Sequence, residues 1–182
     1  MAEDSGELAD VLTSEARVVE IRTAMTARSH FLAASFWGRV QLGVGGLAAV
    51  LSAIAGASAL SSLEGRNIIA GTLALAVTTL TAVSTFLNPN DRANAHLRAG
   101  NAYLALENRA RLFYRLELSS GKAARELSRS VTRLVDELNE LNHASPQPSN
   151  RIFRKAMKMA TQIQRQPTTA ERLQLTEAPS LG

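Results

Sequence analysis

The side chains able to do chemistry are few and scattered. Three histidines, His30, His96 and His143, lie far apart, and no two share a metal-ligand spacing. There is no cysteine, which removes cysteine-ligated zinc, thiol nucleophiles, haem attachment through CxxCH and disulfide frameworks. It leaves the redox compartment open. Serines are common, but none sits in a GxSxG elbow, and neither GxxxxGK[ST] nor GxGxxG occurs. The nearest string, Gly43-Val44-Gly45-Gly46, lies in an apolar run and reads as helix packing. Carboxylates elsewhere have arginines three or four residues away, as in Glu107 with Arg111 and Asp136 with Arg133. Such pairs usually form a solvated helix face. The expectation is a chain that is not an enzyme, with no catalytic residue, no bound metal and no cofactor.

The elements that would carry these residues are helical. Aromatics make up 4% of the chain while Ala and Leu abound, a composition that favours helix over sheet. The mean hydropathy of −0.02 hides two populations. Apolar residues concentrate between Phe36 and Leu87, and charges lie almost entirely outside that window. A soluble domain usually intermixes the two at helical period. The fold class expected is therefore all-α, with a two-span transmembrane helical hairpin and flanking cytoplasmic helices.

Residues 1–35 read as an amphipathic cytoplasmic helix. Leu8, Val11, Leu12, Val18, Val19 and Met25 set an apolar stripe against Glu15 and Arg22. Residues 36–87 form the hairpin. Val40 to Leu60 holds one strongly polar side chain, Gln41, and no charge. At about 1.5 Å per residue it is about 30 Å long, the thickness of a hydrocarbon core. Trp37 and Arg39 stand at its leading edge, where interfacial aromatics and snorkelling cations belong. Ser61 to Asn67 is a short polar connector, and Ile68 to Leu87 is a second uncharged run. Asn88-Pro89-Asn90-Asp91 then stops the helix and caps the next. The alternative is a pair of buried helices in a soluble bundle. The rest of so short a chain would struggle to cover two helices that are apolar all round.

Residues 88–143 read as cytoplasmic helices. His96, Ala99, Tyr103, Leu106, Ala110 and Phe113 recur at helical spacing, Ser119-Ser120-Gly121 interrupts, and a further helix follows from about Lys122. Its Leu127, Val131, Leu134, Leu138 and Leu141 make a short heptad seam, open to a second copy or to packing within the chain. Residues 144–182 comprise a linker, a short basic helix and a polar tail expected to be disordered.

The basic residues set the topology. Four precede the first span, Arg66 alone lies in the connector, and fifteen follow the second span. The positive-inside rule then keeps both termini in the cytoplasm, as a multi-pass protein of the inner (plasma) membrane. Residues 1–10 carry Glu3, Asp4, Glu7 and Asp10 and no cation, the reverse of a secretory signal, so no cleaved leader is expected.

Within the spans, Gly71, Thr78, Thr81 and Thr85 form one mildly polar stripe, and Gly45, Ala49, Ser52 and Gly56 form a second, small one. They would line a pore or subunit interface, or pack against each other inside one hairpin. Ile69, Leu73, Val77, Leu80 and Leu87 are assigned to lipid. Neither span holds an ionisable residue, which argues against a proton pump or charged transport site. In the basic helix, Arg151, Arg154, Lys155 and Lys158 would touch anionic lipid or simply solubilise it. No nucleic acid is expected as a partner.

The run from Phe86 to Leu106, FLNPNDRANAHLRAGNAYLAL, carries His96-x3-Gly100-x2-Tyr103-x2-Leu106 directly after the two spans. With Glu140 to Pro146 and Arg154-Lys155-Ala156 it resembles the SLATT domain, the two-transmembrane effector domain that associates with SMODS nucleotidyltransferases and SLOG sensors. The resemblance runs from about Ala16 to Lys158. It implies a non-enzymatic bacterial membrane effector in a conflict or antiviral defence system. Such an effector would form a homo-oligomer and open a pore on a signal from a separate nucleotide-sensing or nucleotide-making partner. The competing expectation is a membrane-anchored scaffold with no pore.

Overall fold

The computed structural model describes residues 2–60, 65–117, 120 and 122–165, and every element among them is helical. These are α1 (Ala2–Leu60), α2 (Arg66–Leu87), α3 (Pro89–Leu112), a single π turn (Phe113–Glu117), α4 (Ala124–Ala144) and α5 (Asn150–Arg165). Most of the connector, part of the Ser119 to Gly121 interruption and the polar tail lie outside the described residues.

The boundary expected at residue 35 is absent. α1 runs unbroken for 59 residues, about 90 Å at helical rise. The reason is local. The first proline of the chain is Pro89, and the one described glycine with positive φ is Gly65, so nothing between residues 2 and 60 can stop a helix. α2 opens at that left-handed Gly65, whose carbonyl accepts from the amides of Ile68 and Ile69. It ends where the sequence predicts. Asn88 takes the left-handed conformation (φ 43°), which asparagine tolerates, and Pro89 starts α3 with a preset φ.

α1 serves both halves of the molecule. Its N-terminal half packs with α3 and α4 around one core, and its C-terminal half meets α2. Leu12, Ala16, Val19 and Ala27 supply the α1 side of that core. Tyr103, Leu106 and Ala110 come from α3, Phe113 from the π turn, and Leu127, Val131, Leu134 and Leu138 from α4. All six positions of the period read from His96 to Phe113 are buried. So are the first four positions of the α4 seam, which packs within the chain and leaves no heptad face for a second copy. The N-terminal stripe is corrected. Of its apolar members only Leu12 and Val19 are buried, while Leu8, Val11 and Val18 are exposed. The core face is Leu12, Ala16, Val19, Thr23, Ala27 and Ala33, whose small members let α3 approach closely. Thr23 costs nothing there because its hydroxyl donates to the Val19 carbonyl at 2.8 Å.

Gly100 marks the closest approach. A β-carbon added there would stand 2.9 Å from Cε1 of Phe31 on α1. Gly100→Val is expected to push the ring and its helix outward, costing on the order of 1–3 kcal/mol. Thermal unfolding followed by circular dichroism reads this as a lowered midpoint. An unchanged midpoint would remove Gly100 from the account of why α1 and α3 pack.

Two helical stretches, one ending at Leu60 and one beginning at Asn67, are long and apolar enough to cross a membrane, and no residue of either's most apolar window is buried.

Candidate functional site

Two histidines far apart in sequence meet in space. The period of the α1 core face, Leu12, Ala16, Val19, Thr23 and Ala27, continues to His30, which is 1% exposed. The α3 core face brings His96, 6% exposed, to the same place. The two Nδ1 atoms lie 3.0 Å apart. In the neutral pair one ring donates through Nδ1–H and the other accepts, so they hold opposite tautomers. Tyr103 stacks on His30 with ring centres 5.4 Å apart and planes 21° from parallel. Its hydroxyl donates to Oδ1 of Asn142 on α4 at 2.9 Å. Two hydrogen bonds joined by one ring stack thus link α1, α3 and α4 in a single cluster.

Burial sets the charge state of this chain. Desolvation, and then the neighbouring His96, lower the His30 pKa to about 4. Desolvation, and then Arg92, lower that of His96. Burial raises the Tyr103 phenol, against a smaller opposing effect from a Ser145 hydrogen bond. At neutral pH both imidazoles are therefore uncharged. The described residues contain no group of three or more metal-ligating side chains. What the arrangement can do is fix register. His30 lies two turns of α1 before Trp37, and His96 lies nine residues after Leu87. The contact clamps α1 to α3 roughly 10–14 Å beyond the ends of the two apolar stretches. His96, Gly100 and Tyr103 are thus one face, as the spacing predicts. His30 carried no sequence motif, and only the periodicity of α1 could have found it.

The stripes of the apolar stretches do not meet each other. α1 turns Val44, Ala48, Leu51, Ala55 and Ser58 partly inward, and α2 turns Ala70, Leu73, Val77, Leu80, Ser84 and Leu87. Four of the five residues assigned to lipid, Leu73, Val77, Leu80 and Leu87, are therefore half-buried, and only Ile69 is exposed. These large side chains of α2 lie on the face it turns toward α1, where Ala48, Ala55 and Ser58 leave room for them. Gly45, Ala49, Ser52, Gly56, Gly71, Thr78, Thr81 and Thr85 are all exposed. A β-carbon at Gly45, Gly56 or Gly71 would meet nothing within 4 Å. Packing of one stripe on the other inside the chain is thereby excluded. The threonine hydroxyls bond their own helix, Thr78 to Ala74, Thr81 to Val77 and Thr85 to Thr81, each at 2.9 Å.

Of the basic residues, Arg151 and Lys155 line a cavity with Arg39 of α1, whereas Arg154 and Lys158 lie exposed outside its lining. No family model, no curated protein and no solved structure matches the chain.

Proposed function

We propose that the chain is a two-span hairpin of the bacterial inner membrane, with both termini and the α3–α5 region in the cytoplasm. It acts as a non-enzymatic effector that self-associates into a pore. The SLATT resemblance assigns the trigger to a separate nucleotide-sensing or nucleotide-making protein of a conflict system.

One observation carries this reading. On α1 the stripe Gly45, Ala49, Ser52 and Gly56 lies one residue past the contact face Val44, Ala48, Leu51 and Ala55. On α2, Gly71, Thr78, Thr81 and Thr85 lie one residue past Ala70, Val77, Leu80 and Ser84. One residue is a turn of about 100°. Two consecutive helices joined by so short a connector and packed along their length run antiparallel. Viewed along the pair, the step turns one face counterclockwise and the other clockwise, which brings both stripes to the same side. One residue back lies the other side, where Leu47, Val50, Ile54, Ile69, Val83 and Phe86 stand exposed beside the smaller Gly43, Thr72 and Thr79. The hairpin is thus two-sided. The bulkier side suits lipid, and the small, mildly polar side suits close approach of another copy. Uncovered apolar residues on the N-terminal half of α1, Val11, Val18 and Ile21, suit the same assembly.

A scaffold reading has its own support. The threonine hydroxyls already bond their own helices, so the stripe can also face lipid at little polar cost. Membrane partition followed by planar-bilayer recording of the purified chain separates the two. Discrete conductance steps are expected. Firm partition with silence under every candidate trigger would leave a scaffold, and recovery in the soluble fraction without detergent would remove the membrane reading itself.

A further inference from the structure

We infer that the start of α5 and the adjoining part of α1 form a binding groove for the head group of an anionic phospholipid. The inference rests on the membrane reading and goes beyond it, from general contact with lipid to a built site. A cavity of about 340 Å³ lies between the two helices, within the range that holds small ligands. Its apolar wall is Leu32, Phe36 and Ile152, and its cations are Arg39, Arg151 and Lys155. A second cavity of about 420 Å³ shares Phe36, Ile152 and Ser149 with it and adds Trp37 and Arg92. The two are neighbours, with those shared residues standing between them.

Three features select the occupant. The first is charge. The two ion pairs among the described residues are Arg109 with Glu137 and Lys122 with Glu117, so no described carboxylate pairs with Arg39, Arg151 or Lys155. α5 contains no acidic residue at all. The second is level. Arg39 and Trp37 stand at the leading edge of the first span, and Arg92 lies over the Trp37 ring at 5.0 Å while donating to the Leu87 carbonyl at the end of the second. The groove therefore opens where head groups lie. The third is the shape of α5. Ala156 is buried, while Phe153 and Met157 are exposed among cations, the pattern of a helix lying in the interface plane. Three cations beside an apolar wall at this depth match a phosphate with acyl chains attached better than they match free phosphate.

Trp37 is the one tryptophan of the chain and lines the adjoining cavity, which shares Phe36 and Ile152 with the groove, so it reports acyl chains held beside the groove. The full-length protein is placed in phosphatidylcholine nanodiscs containing either phosphatidylglycerol with brominated acyl chains or the same fraction of brominated phosphatidylcholine. Brominated phosphatidylglycerol is expected to quench Trp37 the more strongly. The triple variant Arg39→Gln, Arg151→Gln, Lys155→Gln should lose that preference. At roughly fivefold per cation the selective association falls about a hundredfold. The pair Arg125→Gln, Arg129→Gln on α4 should keep it. Equal quenching by both lipids in the wild type would overturn the site while leaving the membrane reading intact. Loss of the preference on adding inorganic phosphate, but not on adding chloride to the same ionic strength, would make it a free-phosphate site and overturn the lipid assignment. Absence of quenching by either lipid would overturn the membrane reading and the site together.

Discussion

As the pH falls from roughly 6.5 toward 4, the wild-type chain is expected to lose more stability than a His30→Gln variant does. His30 is buried, and its pKa is lowered from 6.5 to about 4, first by desolvation and then by His96. The folded state therefore holds this ring neutral where the unfolded chain already binds a proton. Between those two values the unfolded state binds more protons, so stability rises with pH. The contribution is fully present above about 6.5 and is lost as the pH falls to about 4. A displacement of this size corresponds to about 3 kcal/mol. His96 acts in the same direction, because desolvation and Arg92 lower its pKa as well. Tyr103, stacked on His30, brings no charge to offset a proton there. A doubly protonated pair would also point two donors at each other across 3.0 Å. The glutamine of the variant offers a neutral amide to His96 in place of the imidazole and does not titrate. Chemical unfolding of the detergent-solubilised chain across this range should give a steeper pH slope for the wild type than for the variant, which keeps only the His96 contribution. The two proteins differ at this one side chain, so the difference between their slopes isolates it. Parallel slopes would show that the histidine pair does not govern acid stability.

The protonation penalty falls where α1 and α3 are clamped, two turns of α1 before Trp37.

How much could be read from the sequence depended on how local the cause was. The stop at Asn88-Pro89 is written in two residues and appears in place. The core face of α3 and the seam of α4 follow from side-chain period alone, and both are buried as that period requires. The continuity of α1 was legible in the absence of proline before residue 89, but the change from charged to apolar composition at Phe36 suggested a boundary that the backbone does not make. Amphipathicity on α1 misled for a related reason. Valines and leucines draw the eye to one stripe, whereas the close approach of α3 at Gly100 selects the alanine-rich face beside it. The histidine pair was invisible because it joins residues 66 positions apart. Which side of each apolar helix touches the other was likewise undetermined. Small stripes and large ridges both satisfy helical period, and only the packed pair chooses between them.

That choice yields the prediction with the largest functional effect. The triple variant Thr78→Leu, Thr81→Leu, Thr85→Leu is expected to abolish conductance while leaving the fold of the single chain intact. The fold should survive because all three side chains are exposed and their hydroxyls bond only the carbonyls of their own helix. Leucine adds bulk where no neighbour stands and is the better helix former. In an assembly the same three positions line or border the small side of the hairpin, so the added bulk closes the space and removes the hydroxyls together. A companion variant, Gly45→Leu with Gly56→Leu, tests association separately from conduction. Open space surrounds both glycines in the single chain, so a lone hairpin should accept the change. An interface built on them should not. Losing about 1–2 kcal/mol of close helix contact would weaken association roughly five- to thirtyfold. Cross-linking in vesicles at graded protein-to-lipid ratios reads the second effect, and bilayer recording reads the first. If both variants associate and conduct as the wild type does, the small side faces lipid and the hairpin is an anchor. Loss of association in the glycine variant with loss of conductance in the threonine variant would instead assign each stripe its own part of one assembled face.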